Sequence, residues 1–516
     1  RSIISEVTGK PAEQTPQLWA LYKEVQDYYD KGMRVPDDVT LLLCDDNWGN
    51  IRKLPKLTDK PRKGGYGIYY HFDYVGGPRN YKWLNTNNLA RVWEQMHLAY
   101  AYGADKIWIV NVGDIKPMEL PTSFFLDYAW NPGKWNEDNL RSYYTVWAAQ
   151  QFGEKYSKEI GDILSKYSQY SARRKPELLD AATYPMSVFA DADEAGRVLN
   201  EWNDLNMAAE KVNALLPADY KDAFFQLVLH PVKAMTNLHQ LYGSVAWNRL
   251  YAGQNSPLAN KKADDAKYYY KQDSLITSQY HTVAKGKWKH MMSQTHIGYT
   301  YWQQPEMNKM PEVKYVVQGE EGLPMEDQLT FSAKDSVPEN NKKSAFYELD
   351  GIVSMEAEHW SKAVSSGNIK WKVIPGIGKT GSGITTFPVT AASQLTAASP
   401  HVEYDFYTYS TGKAGINLYF SPTLNFHNNE GLQFAVSIDD EKPTTITLNK
   451  DDNNTRTWEG WVANNIIIKK SEHNITKPGK HVLKYWMISP AVILQKLVVD
   501  FGGMKPSYLG PPETKK

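Results

Sequence analysis

Three apolar runs near the start of the chain end in side chains that can bind, orient or exchange protons. LLLC (41–44) leads into Asp45, Asp46 and Asn47, GIYY (67–70) into His71, Asp73 and Tyr74, and IWIV (107–110) into Asn111 and Asp114. If these runs are parallel strands flanked by helices, the groups after their C-terminal ends collect on one rim, where conserved chemistry rather than packing usually sits. Carboxyl groups there suit cleavage of an acetal bond, one protonating the departing oxygen and a second attacking or activating water. Asp45 and Asp46 are adjacent, and successive residues leaving a strand diverge, so one can face the hollow while the other anchors the loop. A partner carboxyl must come from elsewhere, and Glu24 is available.

The loop YHFDYVGGPRNYKWL (70–84) adds a second kind of chemistry. Gly76 and Gly77 permit unusual backbone angles, Pro78 stiffens the exit, and Tyr74, Tyr81 and Trp83 offer stacking faces beside Arg79. Arg79 is a cation of the type that pairs with a carboxylate ligand, although a structural salt bridge uses the same group. Each of these residues has a plainer reading. Acids after strands cap helices or make Asx turns, Asp114 among them. Glu24, taken alone, belongs on a solvated helix face. His71 has no second ligand at metal spacing, so it reads as a hydrogen-bonding rim residue; no metal and no cofactor is called for.

Composition narrows the class. Lys plus Arg and Asp plus Glu number 58 each, so no net field gathers polyanions, and nucleic acid is excluded as a partner. Cys44 is the single cysteine, which rules out an internal disulfide framework. No apolar run reaches the roughly 20 residues that cross a bilayer, so no membrane partner is expected. The opening RSIISEVTGK carries no leader pattern. The 17 Trp and 34 Tyr outnumber the 15 Phe, and rings with a polar edge suit sugars, which present apolar C–H faces and hydroxyl rims; most such rings nonetheless fill cores.

The positioning elements follow from periodicity. TPQLWALYKEVQDYYDKG (15–32) reads as one helix, capped by Thr15 and stopped by Gly32. Strands are expected at 38–46, 67–77 and 106–114, with helices at 89–103 and 119–130. This is β/α alternation covering about half of an eight-stranded barrel, and it opens on a helix with no strand before it, so earlier strands are expected to precede residue 1. Residues 137–312 turn to helical spacing, 313–344 to a polar linker, and 345–516 to short alternating strands. The fold class is therefore multidomain α/β plus all-α plus all-β: a partial (β/α)8 barrel over 1–136, a helical bundle, and a C-terminal antiparallel β-sandwich.

The order YKEVQDYYDKG, LLLCDDNWGNIRKLP, GIYYHFDYVGGPRNYKWLNT and ADKIWIVNVGDIKPMELPTSFFLDYAW resembles glycoside hydrolase family 115, and SMEAEHW resembles the start of that family's later sandwich. The resemblance covers nearly the whole chain. It implies that Glu24 and Asp45 are essential carboxylates, with Asp46, Asn47 and Trp48 beside them. It also implies an inverting α-1,2-glucuronidase that removes glucuronic or 4-O-methylglucuronic acid from glucuronoxylan, and a homodimer. The expected compartment is periplasmic or secreted. Two rival readings stand beside it: a non-catalytic glycan-binding protein that uses aromatic rims and the sandwich, and an enzyme of another reaction class on a β/α barrel. Calcium or magnesium bound by carboxylates in the sandwich stays open.

Overall fold

The computed structural model describes residues 1–78, 80, 82–187, 193–317, 345–393, 398–450 and 454–515. After a short helix α1 (Ser2–Thr8), a four-stranded parallel sheet runs β1 (Leu18–Ala20), β2 (Thr40–Cys44), β3 (Tyr66–His71), β4 (Ile107–Asn111), side by side in chain order. Between and after these strands lie α2 (Glu24–Asp30), α3 (Leu89–Ala101) and α4 (Glu119–Trp130). Strand β2 is buried along nearly its whole length, as its continuous apolar run requires when both faces are covered. Asn88 caps α3 by accepting from the Ala90 N–H, and Gly103 leaves it at a φ of 79°.

One expectation is corrected here. Residues 15–32 are not one helix: Leu18–Ala20 form a strand paired in parallel with Thr40–Leu42, and the helix begins only at Glu24. The apolar spacing of Leu18, Leu21, Tyr22 and Val25 fits a helical stripe, but the ladder against β2 wins, and Leu21 is fully buried with its N–H donated to the Leu42 carbonyl at 2.8 Å. A strand therefore does precede the helix that carries Glu24.

Among the described residues, six α-helices lie between residues 142 and 286: α5 (Ser142–Phe152), α6 (Ser157–Arg173), α7 (Glu194–Leu215), α8 (Ala218–Phe224), α9 (His230–Gly253) and α10 (Leu258–Gly286). A π-helical turn at Phe225–Leu229 joins α8 to α9. Of the stretch read as a linker, 318–344 lies outside the described residues. Lys314 and Val316 are held by Asn248 and Asn260, so the stretch before it is tied to the helices.

The C-terminal segment contains β5 (Phe346–Tyr347), β6 (Ile352–Glu356), β7 (Lys362–Val364), β8 (Lys370–Ile374), β9 (Gly383–Phe387), β10 (His401–Thr408), β11 (Gly412–Phe420), β12 (Gln433–Ile438), β13 (Thr444–Thr447), α11 (Thr455–Asn464), β14 (Ile467–Ile475), β15 (Gly479–Met487) and β16 (Leu494–Asp500). They form two six-stranded sheets, antiparallel except where β5 pairs in parallel with β10. Rings from the two sheets meet: Phe420 lies 4.7 Å from Phe434, and Trp371 lies 5.7 Å from Tyr485. Helix α11 was not legible within a run of short strands.

This segment is joined to the rest of the chain by many polar contacts. Leu54 N–H donates to the Phe426 carbonyl at 3.0 Å, Gln169 donates to the carbonyls of Gly378 and Gly381, and Arg173 donates to that of Lys379 at 2.7 Å.

Candidate active site

Because β1 to β4 are parallel neighbours, their C-terminal ends share one rim. Glu24 follows β1, Asp45 follows β2, His71 closes β3 and Asn111 closes β4, with His71 and Asn111 in register. The turn from β1 into α2 is made by Lys23 at a φ of 45°, and that turn leaves Glu24 as the first helical residue. Glu24 is exposed and forms no hydrogen bond or ion pair among the described residues. Its carboxylate is open to a ligand.

Asp45 is the opposite case. Its side chain has no exposed surface, and both oxygens are occupied: the N–H groups of Asn47, Gly49 and His71 donate to it at 3.0 Å each, and His71 Nδ1 lies 2.6 Å from Oδ1. A carboxylate accepts, so Nδ1 is the donor in this contact. Asp45 thus orients the His71 ring, and both of its own oxygens are taken up by donors of its loop and of β3. Asp46 is likewise a loop anchor. It accepts from Trp48 N–H, from Asn50 N–H and Nδ2, and from the indole N–H of Trp458 at 2.9 Å. Burial, then the neighbouring Asp45 charge, raises the Asp46 carboxyl above its ordinary value.

Around Glu24 the rim is aromatic. Tyr22 lies 6.1 Å from both Tyr69 and His71, and His71 lies 4.4 Å from Tyr69 and 6.0 Å from Tyr74. Tyr74 packs edge-on to Trp48 at 4.8 Å, and Trp48 to Trp458 at 5.2 Å. Tyr22, Trp48, Tyr69, Tyr74 and Trp458 are all partly exposed. Lys23 Nζ donates to the Tyr74 hydroxyl and sits over the rings of Tyr22 and Tyr74 at 5.3 and 5.0 Å. Asn47 is buried in the turn after β2, and Asn111 accepts from Gly113 N–H at 3.0 Å while its carbonyl accepts from Phe72. Arg79, with Tyr81, lies outside the described residues.

The structure adds residues that the sequence reading did not single out. Tyr22 and Lys23 were hidden by taking β1 for helix, and Trp458 arrives from a segment remote in sequence with no local signal. Among the described residues no group of three or more His, Cys, Asp or Glu is placed to hold a metal ion. A separate crevice of about 250 Å³, lined in part by Arg141, Lys166, Tyr170 and Glu358, contains none of the strand-end groups.

Asp73, at the end of β3, is buried, and burial followed by the Asp114 charge raises its carboxyl to about 6. The folded state therefore holds this proton more tightly than the unfolded chain. The stability that results is complete below the ordinary value of 3.8 and is lost as pH rises through about 6. Asp73→Asn should remove that loss. Thermal unfolding of wild type and variant between pH 4 and pH 7 checks this: the wild-type melting temperature should fall relative to the variant as pH rises.

The model of glycosyl hydrolase family 115 matches residues 1–178, and the model of that family's C-terminal domain matches residues 345–513. The structure of BtGH115A, described as a novel family GH115 4-O-methyl-α-glucuronidase with specificity for decorated arabinogalactans, is 25% identical with a TM-score of 0.74. That match covers 97% of this chain but only 59% of the other. Two isolated carbohydrate-binding modules cover less than a third of this chain. The C-terminal CBM6 of LamC, a marine laminarinase from Zobellia galactanivorans, is 13% identical over 29% of this chain and 98% of its own, with a TM-score of 0.20. A family 35 module from Clostridium thermocellum is 10% identical over 28% and 97%, also at 0.20. Such scores carry no argument. No curated protein sequence matches. With both family models in place at the two ends of the chain and a neighbour aligned over nearly all of it, the chain belongs to glycosyl hydrolase family 115.

Proposed function

We propose that this protein is an α-glucuronidase that removes glucuronic or 4-O-methylglucuronic acid branches from a plant polysaccharide. The observation that carries the reading is an exposed, unpaired Glu24 on the same rim as a buried Asp45–His71 pair, walled by partly exposed tyrosines and tryptophans. In this reading Glu24 acts on the reacting atoms, protonating the leaving oxygen or activating water. Asp45 acts through His71 as a positioning residue. Lys23, whose Nζ already meets Tyr74, supplies the cation for the sugar's carboxylate. The aromatic rings take the apolar sugar faces. The four parallel strands are read as half of a (β/α)8 barrel and the two facing sheets as a β-sandwich; the protein is further proposed to act as a homodimer outside the cytoplasm.

Glucuronoxylan is the substrate expected from the sequence. A second substrate, decorated arabinogalactan, is favoured by the specificity described for BtGH115A. Incubating the complete protein with each polymer and following the products by anomer-resolved NMR tests both. Release of free uronic acid whose first-formed anomer is inverted supports the proposal, and the polymer that yields it names the substrate. Binding of the polymers with no release would favour the glycan-binding reading instead.

A further inference from the structure

We infer that Trp458, on α11 of the C-terminal segment, builds a subsite for the polysaccharide main chain at the edge of the strand-end hollow; this rests on the proposed function. Trp458 lies 412 residues from Asp46 in sequence, yet its indole N–H donates to the buried Asp46 carboxylate at 2.9 Å. Its ring meets Trp48 at 5.2 Å and 71°, and Trp48 meets Tyr74 at 4.8 Å and 70°. Tyr74 in turn bonds Lys23, the residue before Glu24. A continuous run of three partly exposed rings therefore leads from Lys23, the neighbour of Glu24 in the chain, outward to α11. A branch sugar held beside Glu24 must leave its parent chain pointing away from that residue, and this run offers stacking faces for it. The indole N–H of Trp48 is buried without a partner among the described residues.

The platform is held firmly. Asn454 caps α11 by accepting from Thr457 N–H, and Asn465 ends it in the left-handed region at a φ of 48°. Arg174 donates to Asn464 at 2.9 Å, and Asn465 Nδ2 donates to the Ala172 carbonyl at 3.0 Å, so α11 is braced against the end of α6. Trp458 is thus held at the strand-end rim by contacts on two sides, so the C-terminal segment reaches the residues that follow β2.

The plainer alternative is that Trp458 only seals the junction and steadies Asp46. W458A and W458F in the complete protein separate the two, because Phe keeps a stacking face but has no N–H. Each variant is assayed on the decorated polysaccharide and on a small aryl α-glucuronide that has no main chain, with thermal unfolding as a check on folding. The expected result for W458A is a loss of kcat/KM on the polysaccharide that exceeds the loss on the aryl glycoside by about tenfold or more, carried in KM, with W458F largely restoring the polysaccharide value. Equal losses on both substrates, or a W458F no better than W458A, would overturn the subsite and leave Trp458 as a support for Asp46. An unaltered polysaccharide KM in W458A would overturn it as well. Failure of the wild type to release uronic acid from either substrate is a separate outcome, which removes the proposed function and the subsite with it.

Discussion

Glu24→Gln is expected to lower kcat for uronic acid release by about a hundredfold to ten-thousandfold while leaving thermal unfolding where it is. The first half of this expectation follows from chemistry: a group that exchanges a proton with the leaving oxygen or the attacking water cannot be replaced by an amide that keeps its shape and lacks its proton. The second half follows from surroundings. Glu24 is exposed, starts a helix of seven residues and holds nothing in place, so its loss leaves no partner stranded. Product release by high-performance chromatography, with circular dichroism melting on the same preparations, reads both halves. Wild-type turnover in the variant would remove Glu24 from the reaction.

Asp45→Ala should behave differently, losing both activity and stability. Three backbone N–H groups and the His71 imidazole would lose their acceptor in a region without access to water. Leaving a buried donor without its acceptor costs about 1–3 kcal/mol. Soluble yield and the denaturant midpoint of the strand-bearing segment should both drop. Asp45→Asn keeps the volume and one accepting oxygen but sets a donor against the His71 ring, favouring the other tautomer. The amide nitrogen that faces the ring also faces the Asn47 N–H, so the midpoint should fall, by less than in Asp45→Ala, and kcat should fall with KM nearly unchanged. A loss of stability with no change in kcat for Asp45→Asn would make Asp45 purely structural. Paired with Glu24, these variants separate a residue that touches the reacting atoms from one that acts through a neighbour.

Much of the rim was legible because parallel strands impose a simple rule. An apolar run covered on both faces announces itself in sequence, and whatever follows its C-terminal end reaches the same side of the sheet. Asp45, His71 and Asn111 were found in that way, and the boundaries of β2, α3 and α4 came within a few residues. Strand β1 failed the same test because three residues are too few for periodicity to distinguish strand from helix, and Leu18, Leu21 and Val25 also fit a helical stripe. Reading it as helix placed Glu24 mid-helix, where its exposure looked ordinary, when it opens a helix four residues beyond a strand end.

Residue identity and spacing by themselves determined the succession of parallel strands, helices and antiparallel strands, the neutral charge balance, the aromatic surplus and the short set of acids able to do chemistry. These are properties of local pattern, and local pattern survives in a linear string. Tertiary structure alone decided which acid is open and which is enclosed. Asp45 and Asp46 look alike in CDDN, and both prove to be saturated by donors, whereas Glu24 has none among the described residues. It also decided that Trp458 stands at the rim. Availability of a carboxylate depends on how many donors and how much water surround it, and those neighbours come from elements hundreds of residues apart that only folding brings together.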